Sequence, residues 1–431
     1  MSDGPLRGFR VLEFSVIVAA PFCGCILSDL GADVVKVESL DGDPHRNAGA
    51  VVPGLGKRFQ SLNRGKRSIA VDLSTPEGRE LIYRLVPNFD VVTVNYRVGV
   101  PERLGIDYET LRKYNPQLVY CQITGFGSDG PLKERAGTDI VGVAYSGLMV
   151  GEAKIDANGL PLGITSSSVA DYCAGFSAAA AINAALVNRE RTGVGQKVET
   201  SLLRAALAIQ DTAVMREPVS DAASRDPMVA EFRQLRADRA PYADIIAARA
   251  KGRGQRVALK GYYGGYQTGD GQFIVLGALT PATRNAARRV MGITDDRSDT
   301  PDFEPMLPEN IAAGEARWEH IRELMLTRPL DEWVQDFEAA GVPCSPVNIP
   351  EEMSEDPQVV ALGMMTDLIH PFTGPQRLVG PVAVMSETPV RIQGPAPFVG
   401  ADTGAVLREH GFTEEDIAAL LAQHAIGVGN G

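Results

Sequence analysis

Histidine is scarce in this chain of 431 residues. There are five, His45, His320, His370, His410 and His424, and none lies between residues 46 and 319. A reaction centred in that interval would need its imidazole base from a distant part of the chain. Cysteine is also scarce and odd in number, with only Cys23-Gly-Cys25 closely spaced. No second Cys/His pair completes a zinc pattern, so no metal site is expected, and the thiols read as reduced, as in a cytoplasmic protein. No apolar run approaches 18 residues, so no membrane span is expected. The first residues, Met-Ser-Asp-Gly-Pro-Leu-Arg, lack the basic and apolar regions of a signal peptide. Positive charge is in deficit: 42 Lys and Arg against 54 Asp and Glu give a net charge of −12. That balance excludes a general affinity for nucleic acid or an anionic membrane, and an anionic ligand would need a local basic site.

Three nucleotide and hydrolase signatures are missing as well. Glu38 ends a second strand where a ribose-binding acid would sit, but the first strand-to-helix loop is Ser15-Val-Ile-Val-Ala-Ala-Pro21. Without Gly-x-Gly-x-x-Gly the backbone cannot approach a pyrophosphate in the dinucleotide manner. There is no phosphate loop with Gly-Lys-Ser/Thr and no Gly-x-Ser-x-Gly nucleophile elbow.

What is present is an ordinary globular composition, 44% hydrophobic, on a chain long enough for two domains. The first 150 residues alternate strand and helix patterns. Strands are expected at Arg10–Phe14, Asp33–Glu38, Ser68–Leu73, Asp90–Asn95 and Leu118–Thr124, with helices at Ala20–Leu30, from Thr75 to about Val86, and around Tyr108–Tyr114. Such alternation implies βαβ units and a mostly parallel sheet. The character changes around residues 212–260, which are rich in Arg, Ala, Asp and Gly. A hairpin follows at Tyr263–Leu276 around Gly269-Asp-Gly, then helices near Ala312–Leu326 and Leu330–Ala340. From about residue 345 short strands and Pro-rich connections return, with a final helix at Thr413–His424.

Asp171 opens a 20-residue helical stretch to Glu190 and is the only carboxylate between Asp156 and Glu190. A carboxylate at a helix N-terminus is held ionised by the macrodipole, which suits a nucleophile and equally an N-cap. The segment Lys57-Arg-Phe-Gln-Ser-Leu-Asn-Arg-Gly-Lys-Arg67 holds five cations and no acid. It reads as a solvated face or as a phosphate receptor, with Arg64 and Lys66 among the candidates. Arg97 and Arg103 stand in the next strand-to-helix connection, at the strand ends where ligands of parallel sheets bind.

Taken together, the chain resembles the family III CoA-transferases, the group of formyl-CoA:oxalate transferase and the carnitine-CoA transferases. The matching blocks are Gly8-Phe-Arg-Val-Leu-Glu-Phe14, Leu30-Gly-Ala-Asp-Val-Val-Lys-Val-Glu38 with Gly42-Asp-Pro-His-Arg46, and Asn63-Arg-Gly-Lys-Arg-Ser-Ile-Ala-Val-Asp-Leu73. Further on come Gly125-Phe-Gly-Ser-Asp-Gly-Pro131, Ala170-Asp-Tyr-Cys-Ala-Gly175, Arg191-Thr-Gly-Val-Gly-Gln-Lys-Val-Glu-Thr-Ser201, Gly341-Val-Pro-Cys-Ser-Pro-Val347 and Asp356-Pro357. The resemblance implies an α/β fold: a Rossmann-like large domain built from both chain ends, a smaller α+β middle domain, and two ring-shaped subunits interlocked as a homodimer. With the change of character near residue 212, it divides the chain at 1–212, 213–330 and 331–431.

The resemblance further implies that Asp171 is the catalytic aspartate, carrying CoA as an aspartyl thioester between an acyl-CoA donor and a carboxylic acid acceptor. Asp139 stands where relatives carry an acid near the reacting carbonyl. Ile17, Val18 and Ala19 match the loop along CoA; Asn95, Tyr96, Arg103 and Leu104 match its nucleotide contacts. Gly252, Gly254 and Gln255 resemble a mobile glycine loop over the intermediate, with Arg253 where formyl-CoA transferase continues glycine. Val18 and Ser39 replace a glutamine and an arginine of that enzyme, and the first change, which removes a polar group near the acceptor, argues against oxalate or formate. CoA is implied as substrate and product, with no tightly bound cofactor. Alpha-methylacyl-CoA racemases share the pattern but place a histidine base where this chain has Thr138 in Ala136-Gly-Thr-Asp139, and threonine cannot abstract an α-proton at neutral pH. An intramolecular transfer within a diacid, an acyl-CoA hydrolase and an acyl-CoA-binding protein without turnover are the other readings.

Overall fold

The computed structural model describes residues 4–151, 153–163, 166–251, 254–305 and 307–429. They fall into two compact units. One comprises Met1–Glu152, Pro161–Met215 and Asp356–Gly431; the other comprises Ala153–Leu160 and Arg216–Glu355.

The first unit is built on strands β1 (Arg10–Phe14), β2 (Asp33–Glu38), β3 (Arg67–Val71), β4 (Val91–Val94), β5 (Val119–Thr124) and β6 (Lys197–Ser201). They lie in the spatial order β3-β2-β1-β4-β5-β6, every neighbouring pair parallel. A last short strand, Ile426–Gly427, pairs antiparallel with β3 and closes that edge with the chain's far end. Side chains alternate along each strand. Val11, Val34, Val91 and Val119 enter one apolar cluster, and Leu12, Val35, Val92 and Tyr120 enter the other. A sheet apolar on both faces needs helices on both.

The helices around this sheet are α1 (Ala19–Asp29), α2 (Lys57–Asn63), α3 (Pro76–Leu85), α4 (Val100–Leu104), α5 (Tyr108–Leu111), α6 (Asp139–Tyr145), α7 (Val169–Thr192) and α8 (Leu202–Ala208). Small residues set how α7 packs. Ala170, Asp171, Ala174, Gly175, Ala178, Ile182, Ala185 and Leu186 are buried at helical spacing, so Asp171 lies on the core stripe and not on the outer face. A Cβ on Gly175 would meet the Ala19 carbonyl oxygen at 2.8 Å and Phe22 Cδ1 at 2.9 Å, which brings α7 and α1 into close contact. Gly193, at φ +72°, ends the helix with its N–H on the Arg189 carbonyl. Among the described residues α7 alone has the length and hydropathy of a membrane span, yet half of its apolar window is buried inside the protein.

The second unit carries a three-stranded antiparallel sheet of β7 (Tyr263–Gln267), β8 (Phe273–Gly277) and β9 (Cys344–Pro346). Its core holds Tyr262, Tyr266, Ile274, Leu276, Trp333 and Phe337. The boundary expected at residue 330 is therefore wrong. Trp333 and Phe337 fill this core and β9 completes this sheet, so the chain returns to the first unit only at Asp356. The expected division also missed Ala153–Leu160, which belongs to the second unit. Back in the first unit, β10 (Met365–His370) and β11 (Gly374–Val379) form a hairpin.

Candidate active site

The strand order reverses between β1 and β4, and at such a switch point the loops leaving the carboxyl ends of the two strands part to leave a crevice. A cavity of about 510 Å³ occupies it. Val16–Ala19 after β1, Asn95–Val98 after β4, Thr124 and Gly125 at the end of β5, and Lys133, Arg135, Gly137, Thr138 and Asp139 line it, together with Asp171. Gly125 and Gly137 bring the last two segments together. A Cβ on either would meet the other's Cα, at 2.8 Å and 2.6 Å respectively. This backbone crossing carries Thr138 and Asp139 to the end of β5.

Asp171 stands in the first turn of α7, 9% exposed. Its N–H donates to Asp139 Oδ1 at 3.1 Å, so Asp139 caps one of the free amides at this helix start. Burial and, second, the Asp139 charge push the Asp171 carboxyl up to about 7, while Arg58 pulls it down. This corrects the expectation that the helix terminus holds Asp171 ionised. Removal from water and a second carboxylate both favour the protonated form.

A second cavity, about 270 Å³, adjoins the first. Both are lined by Ile17, Val18, Thr138, Asp139 and Asp171. Arg58, Ser167 and Ser168 supply its polar wall; Ile140, Val143 and Met149 supply its apolar one. Asp171 thus sits at the junction of a larger space and a smaller one.

The loop at this junction is held from below. Asn95 accepts from the Val16 N–H at 3.0 Å and donates to the Val16 carbonyl at 2.7 Å. Ile17 takes φ +71°, a conformation β-branched residues rarely adopt, with its N–H turned to the Asp43 carboxylate at 3.3 Å. Asp43 is itself fixed by Lys36 at 3.2 Å and by accepting from His45 N–H at 2.9 Å. Strain of this kind persists only where the surroundings over-determine it.

The sequence-predicted residues divide sharply. Ile17, Val18, Ala19, Asn95, Tyr96, Arg97, Asp139 and Asp171 line the larger cavity. Tyr96 does so with its phenol pushed well up by burial, and the side-chain amide of Asn95 is engaged by Val16. Arg103 and Leu104 are not among its lining residues: Arg103 is exposed on α4, and Leu104 packs against the apolar cluster that holds Leu12, Val35 and Val92. Arg64 and Lys66 are corrected outright. Arg64 is buried against Asp29 at 2.6 Å and the Ser61 carbonyl at 2.8 Å. Lys66 is buried against Glu13 at 2.8 Å, the Pro21 carbonyl at 2.8 Å and Asn63 at 2.9 Å. Lys and Arg are buried only when paired, and these two spend their charge on partners within the protein itself. Glu38, the would-be ribose acid, is gripped by Arg46 through both oxygens, at 2.7 and 2.5 Å. Gly252 lies outside the described residues; Gly254 and Gln255 open a 3-10 turn, Gly254–Leu259, in the second unit.

Three cations went unnoticed in the sequence. Lys133 and Arg135 line the larger cavity and Arg58 the smaller. The signal for the first two was their place between the Gly125-Phe-Gly-Ser-Asp-Gly-Pro131 block and Asp139. For Arg58 it was membership of the cationic run, whose other members drew the attention.

The family model for CoA-transferase family III matches residues 6–403. The succinate–glutarate CoA-transferase of Agrobacterium fabrum is 32% identical, covering 94% of this chain and 95% of the relative. The succinyl-CoA–D-citramalate CoA-transferase of Chloroflexus aurantiacus is 31% identical, covering 98% of each. The crystal structure of a CAIB/BAIF family protein from Brucella suis superposes with a TM-score of 0.71 at 30% identity, covering 94% of this chain and 99% of that one. The chain belongs to CoA-transferase family III. It is an enzyme of that family, which moves CoA between acyl-CoA and carboxylate.

Proposed function

We propose that the enzyme exchanges CoA between an acyl-CoA and a free carboxylic acid by way of an aspartyl-CoA thioester on Asp171. The observation that carries this is the position of Asp171 where two cavities meet, with its carboxyl poised near neutrality. In the first half, an Asp171 carboxylate oxygen attacks the thioester carbonyl. The C–S bond breaks, CoA thiolate leaves, and an acyl-aspartyl anhydride remains. The thiolate then attacks the Asp171 carbonyl carbon, the first acid departs as carboxylate, and CoA is left on Asp171. In the second half the acceptor carboxylate attacks that thioester, and the released thiolate attacks the acyl carbon of the new anhydride. The new acyl-CoA leaves and Asp171 is again a carboxylate. No net proton is consumed and each thioester replaces another. Splitting a difficult exchange into easier steps is ordinary covalent catalysis.

Lys133, Arg135 and Arg97 around the larger cavity suit the phosphates of CoA, and Asp139 holds the first turn of α7 in place. Among the described residues no histidine lines either cavity, so racemisation has no evident imidazole base there. Double-displacement kinetics, with parallel double-reciprocal lines and partial exchange of labelled acid in the absence of acceptor, support this reading. Intersecting lines with no partial exchange contradict it. A transfer within one diacid would use the same residues and would show no dependence on a second acid. An interlocked homodimer in the cytoplasm is part of the proposal, and light scattering after gel filtration tests the dimer.

A further inference from the structure

The smaller cavity is lined by a cation, Arg58, whose side chain is in no ion pair among the described residues. Arg58 stands on α2, and its guanidinium donates to Ser168, whose Oγ accepts from Nη2 at 2.6 Å. Ser168 is the N-cap residue of α7, yet its hydroxyl makes no cap hydrogen bond to the helix; Arg58 holds it instead. A guanidinium has five N–H donors in a planar fork, so most of its capacity is left over. Asp139 and Asp171 line the same cavity, and neither is within ion-pair distance of Arg58. Thr138 and Ser167 add hydroxyls to the lining, and Ile140, Val143 and Met149 give it an apolar side. At about 270 Å³ the space is smaller than the roughly 300–1,000 Å³ that encloses a drug-sized ligand. A short carbon chain on apolar walls with a charged acceptor at Arg58 matches each of these features.

We propose that Arg58 and Ser168 form a subsite for the far carboxylate of a short dicarboxylic acyl group whose near carbonyl lies at Asp171. The inference rests on the transferase reading above. It makes Arg58 a specificity-determining residue. Fork-to-carboxylate hydrogen bonds select the diacid, and a methyl terminus at the same place makes none of them.

Succinyl-CoA and butyryl-CoA test this, since they have the same number of acyl carbons and differ at the far end. The readout is the ratio of their kcat/KM values in wild type, Arg58→Gln and Arg58→Lys. The ratio cancels any effect Arg58 has on Asp171 that both substrates share. The wild type is expected to favour succinyl-CoA by about 10-fold or more, the ordinary worth of a charge-assisted hydrogen bond. Arg58→Gln is expected to reduce that preference by at least about 10-fold and Arg58→Lys to restore part of it. Matched thermal unfolding curves establish that the variants are folded, and Ser168→Ala, which keeps the cation, gives a smaller loss of preference in the same direction. A wild type without preference, or a ratio unchanged in Arg58→Gln, overturns the role of Arg58 and leaves the transferase reading standing if both thioesters still give an Asp171-dependent CoA adduct. Absence of that adduct with both thioesters overturns the transferase reading and this inference with it.

Discussion

Asp139 accepts a hydrogen bond from the backbone N–H of Asp171 at 3.1 Å, and so joins the first turns of α6 and α7. The contact has two opposed consequences. It fixes the helix start on which Asp171 stands, and it sets a second negative charge close to the carboxyl that has to ionise. Burial is the larger influence on Asp171 and Asp139 the next, which together put its proton loss at about pH 7.

The pH dependence follows. Only the carboxylate is nucleophilic, so kcat/KM rises with pH through a midpoint near 7. Asp139→Asn keeps an oxygen to accept the Asp171 N–H but removes the charge, and the midpoint moves to lower pH. Profiles measured under otherwise identical conditions check this; a midpoint unmoved in Asp139→Asn contradicts it.

The same shift has a sign in stability. Asp171 binds its proton more tightly folded than unfolded, so its contribution is fully present below the ordinary carboxylate range and is lost as pH rises through about 7. Asp171→Asn removes that loss. Relative to wild type the variant gains Tm on going from pH 5 to pH 8, a difference that thermal unfolding at the two values measures.

Gly175 is one turn along from Asp171 and packs on the Ala19 carbonyl. Gly175→Ala forces a methyl group into backbone at 2.8 Å, at an expected cost of about 1–3 kcal/mol. Because the displaced turn carries Asp171, kcat falls along with stability. Denaturant unfolding and single-turnover rates on the same preparation test both.

Cations buried and cations exposed behave differently. Lys66→Met leaves Glu13 buried without its nearest cation, Glu13 Oε2 already lacking a hydrogen-bond partner. Loss of one partner of a buried pair costs about 3–5 kcal/mol, read as a lower unfolding midpoint. Lys133→Ala removes an exposed cation at the cavity wall. It leaves stability within about 0.5 kcal/mol, raises KM for the acyl-CoA, and weakens the salt dependence of KM.

The first half of the fold was legible because its signals are local. β1 and β2 occupy the ranges read from their apolar runs, and α3 starts where Thr75 caps and Pro76 enters. The edge strand β6 passed unrecognised: Lys197 and Glu199 point outward from a sheet edge, so its pattern is half polar. The cationic run hid α2 for a related reason. Phe59, Gln60, Leu62 and Asn63 are its buried face, but five cations in eleven residues read as surface. At the site, the positions of Ile17, Asp139 and Asp171 came through the family resemblance, whereas the fate of each basic residue did not. Whether Lys66 meets phosphate or Glu13 is decided by residues 53 positions apart, which spacing cannot disclose. The elevated carboxyl at Asp171 was equally hidden, since a helix start predicts the opposite sign, and burial and the neighbouring Asp139 are tertiary features.

The central claim is that CoA passes through a covalent bond to Asp171. Intact-protein mass spectrometry after brief incubation with an acyl-CoA and no acceptor tests it most directly, with Asp171→Ala alongside. The account predicts a mass increase of CoA less one water, confined by peptide mapping to Asp171, absent from the variant, and discharged by a carboxylic acid. An adduct on another residue, or turnover retained by Asp171→Ala, would contradict it.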